Sequence, residues 1–438
     1  MNWEEFKEKV KLILINFEEY YKISYESDRI TFYVDEYEFI YTKADYERFQ
    51  SSISNYNYKN FILNKEEKYE VVIYELKDNG YGLGVFDYQG RVYNSDESIS
   101  LKVSDISDEM LYFLIKQIDM DKYFKAFNLK YIDDYHLNNF NLWKLLKLAL
   151  NNVKSIVVNY QDSMNEEDVV NLINSYFFEI SLENSELYRI ACTSENVFGK
   201  ETCFDTVDTM SMINKFPKRV FNQELLDQYN VATMANDPML QFIGYYHVLE
   251  YFYKRTVLDD AYNYLKEKLC TSNTYNLSEK DLQLICEMIN KKYNKLLRIS
   301  ERDALGLTLK KYITIDDLKK RIDSDYLFDF DENNNYLICE IAYSVYPRNY
   351  FYYKDNVVTF SEGAKVDLES IDKNEIYENL KNRIYDTRNA IVHSKASAEI
   401  DIVDGYYNPF EDAKDLRKEI PLMKAIAEQI IIKTAEEI

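Results

Sequence analysis

An α+β domain followed by an all-α helical bundle is the fold class that the changing periodicity of the chain predicts. Short alternating runs rich in β-branched and aromatic residues are confined to the first hundred positions, where an antiparallel sheet with helices is expected. Apolar residues spaced by three and four dominate after Asp108, as helices require. At 438 residues the chain also exceeds the size at which one core usually keeps growing, so two domains are expected. Hydrophobic residues make up 46%, enough for folded cores, and 9 Gly with 5 Pro leave little material for disordered linkers.

The first domain is placed over 1–205. An amphipathic acidic helix opens it, and Arg29–Thr42 alternates as two strands. Residues 44–64 read as a helix. The runs 69–76 and 81–88 flank Asn79-Gly80, a pair suited to a tight hairpin turn. Residues 91–93 and 98–103 would extend that sheet. Helical spacing follows over 108–127, 142–159 and 166–181, the second made strongly apolar by Trp143, Leu145, Leu146, Leu148 and Leu150. Periodicity weakens before Asp237, and Pro217 and Pro238 punctuate the stretch, so 206–236 is expected to be a connecting segment.

A helical domain is placed over 237–438. Pro238 suits a helix start, and that helix is expected to reach Cys270. Ser278 would cap a second helix ending near Arg302. A short helix over 316–322 follows, then a hairpin over 349–360 within an insertion near 335–360. A long helix within 371–397 and a last one over 412–436 complete the bundle.

The net charge is −23, with −16 before residue 239 and −7 after it. Such a chain repels bulk nucleic acid, because non-specific binding rests on neutralising phosphates, so any such contact must be a local basic pocket. Five cysteines, scattered and without a Cys-x-x-Cys pair, suggest neither a disulfide framework nor a zinc site. The N-terminus does not read as a signal peptide, and no apolar run approaches the ~20 residues that span a bilayer. A cytoplasmic protein without membrane contact is expected.

The stretch Arg388-Asn389-Ala390-Ile391-Val392-His393 carries the most chemistry. It belongs to a Gly- and Pro-free helical pattern with apolar residues at Ile376, Leu380, Ile384, Ile391 and Val392. Asn389 and His393 stand one turn apart on one face. Arg388 and His393 differ by roughly 140° around the axis, a gap that a long guanidinium arm can close. Histidine, with an ordinary pKa near ~6.5, can take and return a proton near neutrality. Arginine offers a permanently charged fork that matches phosphate oxygens, and an amide can orient its neighbours. Together these meet the needs of RNA cleavage without a metal. Arg-x4-His is also a loose pattern that helices carry for structural reasons. No metal-ligand set and no cofactor motif is evident; His136 sits among Asp133 and Asp134 in a polar connection without further ligands.

Arg-Asn-x-x-x-His after an amphipathic helix resembles the signature of the HEPN superfamily, small helical domains that are often metal-independent endoribonucleases. The run 236–252 (NDPMLQFIGYYHVLEYF) is similar to the opening helix of the Apea-like HEPN group, found among bacterial anti-phage defence factors. The resemblance spans Asp237 to the end. It implies an endoribonuclease of the toxin or abortive-infection type, with RNA as substrate and Arg388, Asn389 and His393 as catalytic residues. It also implies a homodimer with two motif helices facing each other, and a first domain that senses a phage-derived or regulatory trigger. Glu250 matches an acidic position that often approaches the motif Arg or His; a salt bridge inside the bundle is the equal alternative. Lys381, Arg383 and Lys395 could supply RNA contacts or be ordinary solvated charges. His247 is expected to face the core. The competing function is a HEPN-like module that binds RNA or a nucleotide, or dimerises, without cutting.

Overall fold

The computed structural model of the protein describes residues 1–18, 21–34, 36–75, 92–94, 97–117, 140–150, 153–161, 163–184, 188–198, 216–271, 300–324, 349–393 and 407–437, with 279, 280, 283 and 287. The chain divides into two compact units, Met1–Val220 and Phe221–Glu436.

The first unit holds two sheets in which neighbouring strands run antiparallel. Strands β1 (Ile23–Tyr25), β2 (Arg29–Val34) and β3 (Tyr37–Thr42) form one sheet in that order. A second sheet runs β4 (Asn57–Lys59), β5 (Ile62–Lys65), β6 (Lys68–Glu75), β9 (Lys154–Tyr160), β8 (Ile99–Asp105) and β7 (Val92–Tyr93), with β10 (Tyr188–Ile190) also pairing β6. The centre of this sheet is β9, whose Ile156, Val157 and Val158 are all buried, as a strand covered on both faces requires. On one face, helix Glu166–Asn184 packs Val169, Leu172, Ile173, Tyr176, Phe177 and Ile180 against Ile156, Val158, Val71 and Ile73. On the other, Leu63 and Val72 join helices Trp3–Leu14, Asp108–Gln117 and Leu142–Ala149 in a core rich in aromatic rings.

Two expectations change here. Residues 142–159 are not one helix: the helix stops at Ala149, and the β-branched run from Ile156 enters the sheet. Residues 44–64 split into helix Lys43–Ser52 and the hairpin β4–β5. The two-residue loop Asn60-Phe61 closes that hairpin with both φ angles positive, at 51° and 63°. The Asn79-Gly80 turn, 81–91 and 118–139 (with His136) lie outside the described residues.

The second unit is helical. Its centre is helix Ile420–Thr434, buried nearly all round through Leu422, Met423, Ala425, Ile426, Ala427, Ile430 and Ile431. Helices Gln223–Met234, Pro238–Glu250 and Ile315–Ser324 pack against it. The stretch 221–236 is therefore not a connector. Asn222 caps helix Gln223–Met234 by accepting from the Glu224 and Leu225 amides, and that helix packs closely on Pro238–Glu250. Contact is tightest at Gly244, where an added Cβ would fall 2.7 Å from Ala232 Cβ. Gly244→Ala is expected to destabilise the unit by about 1–3 kcal/mol through overpacking, although alanine is the better helix former. An unchanged or raised denaturation midpoint would contradict this packing.

The long helix expected from Pro238 to Cys270 is two helices, Pro238–Glu250 and Tyr253–Thr271. Residues 349–360 contain no hairpin: they form a turn and helix Phe351–Asp355, and 335–348 lie outside the described residues. The reason is local. The carbonyls of Asn356 and Ala364 accept from Arg383 at 2.7 and 3.0 Å, and that of Tyr353 accepts from the Val366 amide at 2.7 Å, so their partners are not those of a strand ladder. Among the described residues no helix is long and apolar enough to cross a membrane.

Candidate functional site

The motif helix runs Lys373–Val392, started by Asp372, whose side chain accepts from the Asn374 and Glu375 amides. Ile376, Leu380, Arg383, Ile384, Thr387, Ala390 and Ile391 face inward. The helix packs on Glu301–Tyr312 and on Pro238–Glu250, and these two neighbours supply the rest of the site. His393 is the C-cap: its amide donates to the Asn389 carbonyl at 2.8 Å, which keeps the two residues on one face, and its ring is exposed.

Arg388 is the hub. Its Nη1 lies 3.4 Å from His393 Nε2 and donates to Asn389 Oδ1 at 3.2 Å. Its Nη2 pairs with Glu301 Oε1 at 3.1 Å, and its Cζ lies 5.6 Å from the centre of the Tyr246 ring. The Tyr246 hydroxyl donates to the same Glu301 oxygen at 2.8 Å. Burial, with the Glu301 carboxylate adding to it, raises the Tyr246 hydroxyl above its ordinary pKa, so it remains a donor at neutral pH. Ring and carboxylate thus fix the plane of a guanidinium whose side chain is 18% exposed. A guanidinium has only donors. An imidazole nitrogen facing it can only accept, so the 3.4 Å approach pairs a donor-only group with a ring that can also act as an acceptor.

A second guanidinium lies alongside. Arg302, next to Glu301 in the chain, donates through Nε and Nη2 to Asn382 Oδ1 at 3.1 and 2.7 Å. Its Cζ lies 5.4 Å from the centre of the Tyr385 ring, and Asp386 Oδ2 stands 3.5 Å from its Nη2.

Of the residues singled out from sequence, Arg388, Asn389 and His393 come together. Glu250 faces His247 on its own helix at 4.0 Å, both half-exposed, and the carboxylate that reaches Arg388 is Glu301. His247 is exposed, not core-facing, because Phe242, Tyr245, Tyr246, Val248 and Leu249 occupy the inward face of its helix. Lys381 pairs with Glu378 and lays its stem across Gly306. Arg383 is no RNA contact: it is wholly buried, bound through two nitrogens to Glu419 at 2.8 and 2.7 Å. Lys395 lies outside the described residues. Sequence reasoning missed Glu301, Tyr246 and Arg302. Ser300-x-x-Asp303 was the available signal, since it marks a helix start and hence a first turn facing a neighbour. Ser300 accepts from the Asp303 amide at 3.1 Å.

No protein family matches this chain, and no curated protein or solved structure is similar to it at a significant level.

Proposed function

We propose that the second unit is a HEPN-like, metal-independent endoribonuclease of a bacterial defence system, of the toxin or abortive-infection type. One observation carries the reading: a guanidinium held between a ring and a carboxylate lies 3.4 Å from Nε2 of an exposed histidine on the same helix. In the proposed reaction the His393 imidazole takes the proton of a ribose 2′-OH, and the resulting oxyanion attacks the adjacent phosphorus. Arg388 stabilises the charge that builds on the phosphate oxygens, and Asn389 steadies Arg388. The bond to the 5′-oxygen breaks and that oxygen gains the proton that His393 took, returned directly or through water, leaving a 2′,3′-cyclic phosphate and a 5′-OH. Glu301 and Tyr246 act as positioning residues for Arg388. The resemblance adds a homodimer with two motif helices across one cleft, and a first unit that senses an infection cue and releases the nuclease.

The net charge of −23 favours a second reading, in which the bundle binds RNA or a nucleotide, or dimerises, without cutting. Expression of the full chain in bacteria, with and without phage challenge, separates the two. Wild type is expected to arrest growth and fragment cellular RNA, whereas His393→Ala and Arg388→Ala leave the RNA intact. Equal RNA integrity in all three under both conditions sinks the nuclease reading.

A further inference from the structure

We infer that Arg302 is a second phosphate contact of the same site, gripping the RNA strand next to the linkage held by Arg388. The inference rests on the nuclease reading for the identity of the strand, and on geometry for the contact. The described arginines of this unit are treated in different ways. Arg383 and Arg321 spend their charge on the buried carboxylates of Glu419 and Glu428. Arg302 instead directs its Nε–Nη2 edge at a neutral amide oxygen, that of Asn382, with Asp386 only at 3.5 Å. Its charge is thus oriented by an amide and paired with one partly exposed carboxylate at 3.5 Å, its side chain is 39% exposed, and its Nη1 corner is not used by either contact.

Position adds to this. Arg302 occupies the first turn of helix Glu301–Tyr312, where the helix dipole disfavours a cation, so helix stability does not account for it. The Tyr385 ring lies within cation–π distance of its guanidinium. Asn382, Asp386, Asn389 and His393 follow one another at spacings of four, three and four, with Tyr385 three after Asn382 and four before Asn389, a single stripe of the motif helix that ends at the imidazole. Arg302 lies over the earlier part of this stripe and Arg388 beside the later part. A strand laid along the stripe meets both in turn. Arg302 is therefore a binding residue, and Asn382 and Tyr385 are its positioning residues.

The test is fluorescence anisotropy of a 5′-labelled single-stranded RNA 12-mer across a salt series, with full-length His393→Ala protein and the same protein carrying Arg302→Ala or Arg302→Lys. Arg302→Ala is expected to weaken binding about tenfold, and to reduce the salt slope of log K by about 0.7, the share of one single-strand phosphate. Arg302→Lys keeps the slope while losing part of the affinity, because it retains the charge without the fork. Unchanged affinity, or a loss with an unaltered slope, overturns the inference. Cleavage of the same 12-mer by protein with His393 intact is scored separately. Cleavage with no Arg302 effect sinks this inference and spares the nuclease reading. A changed slope without cleavage, where wild type also leaves cellular RNA intact with and without phage challenge, does the reverse.

Discussion

Arg383→Met is expected to cost the second unit about 3–5 kcal/mol, the range for removing one partner of a buried ion pair. The substitution strands Glu419, itself 2% exposed, inside the bundle. It also removes the donor to the carbonyls of Asn356 and Ala364, and the cation that lies 5.2 Å from the centre of the Tyr353 ring. Against a typical stability of about 5–15 kcal/mol, that loss is large. The double variant Arg383→Met, Glu419→Leu is expected to recover only part of it, because both carbonyls remain without their donor. Denaturation followed by circular dichroism checks this. The only two tryptophans, Trp3 and Trp143, belong to the first unit, so tryptophan fluorescence reports on that unit instead. A single variant as stable as wild type would show that Arg383 does not hold the 349–366 segment to the motif helix.

His393→Ala is expected to act in the opposite way, lowering RNA cleavage by about 10²–10⁴-fold with the denaturation midpoint unchanged. The ring is exposed, and its described side-chain contact is the 3.4 Å approach to Arg388. Removing it therefore leaves no buried group unpaired. Arg383 and His393 stand less than three turns apart on one helix, yet one is expected to set stability and the other, on the proposed function, chemistry. A fall in stability with His393→Ala, or a rate within a few-fold of wild type, would contradict that division.

Legibility in the sequence followed how local each feature is. The split into a sheet-bearing first part and a helical second part was readable, because alternation and three-four spacing are properties of short windows. The strand β9 was not, since Lys154–Tyr160 follows an apolar helix without Gly or Pro and is drawn into the sheet by β6 and β8 on either side. The β4–β5 hairpin was hidden for a related reason. Its turn places Phe61 at positive φ, where turn rules expect Gly or Asn, and burial of the ring at 3% exposure accompanies that conformation. Burial of Arg383 was equally illegible, because its partner Glu419 and the carbonyls it serves lie on other segments of the chain.

The site divides along the same line. Arg388, Asn389 and His393 lie within six residues, so helical geometry alone brought them together. Glu301 and Tyr246 reach Arg388 from other helices, and only the packing of three helices selects Glu301 over Glu250. The partnership of Arg302 with Asn382 and Tyr385 is likewise a product of that packing.

The most direct test of the account uses an RNA oligonucleotide cut by the purified full chain, compared with the same oligonucleotide carrying one 2′-deoxyribose on the 5′ side of the cut. Mass spectrometry is expected to find a 2′,3′-cyclic phosphate on the RNA product and no cleavage at the deoxy position. Cleavage at the deoxy position, or a product ending in a 3′-OH and a 5′-phosphate, would contradict attack by the neighbouring hydroxyl through His393.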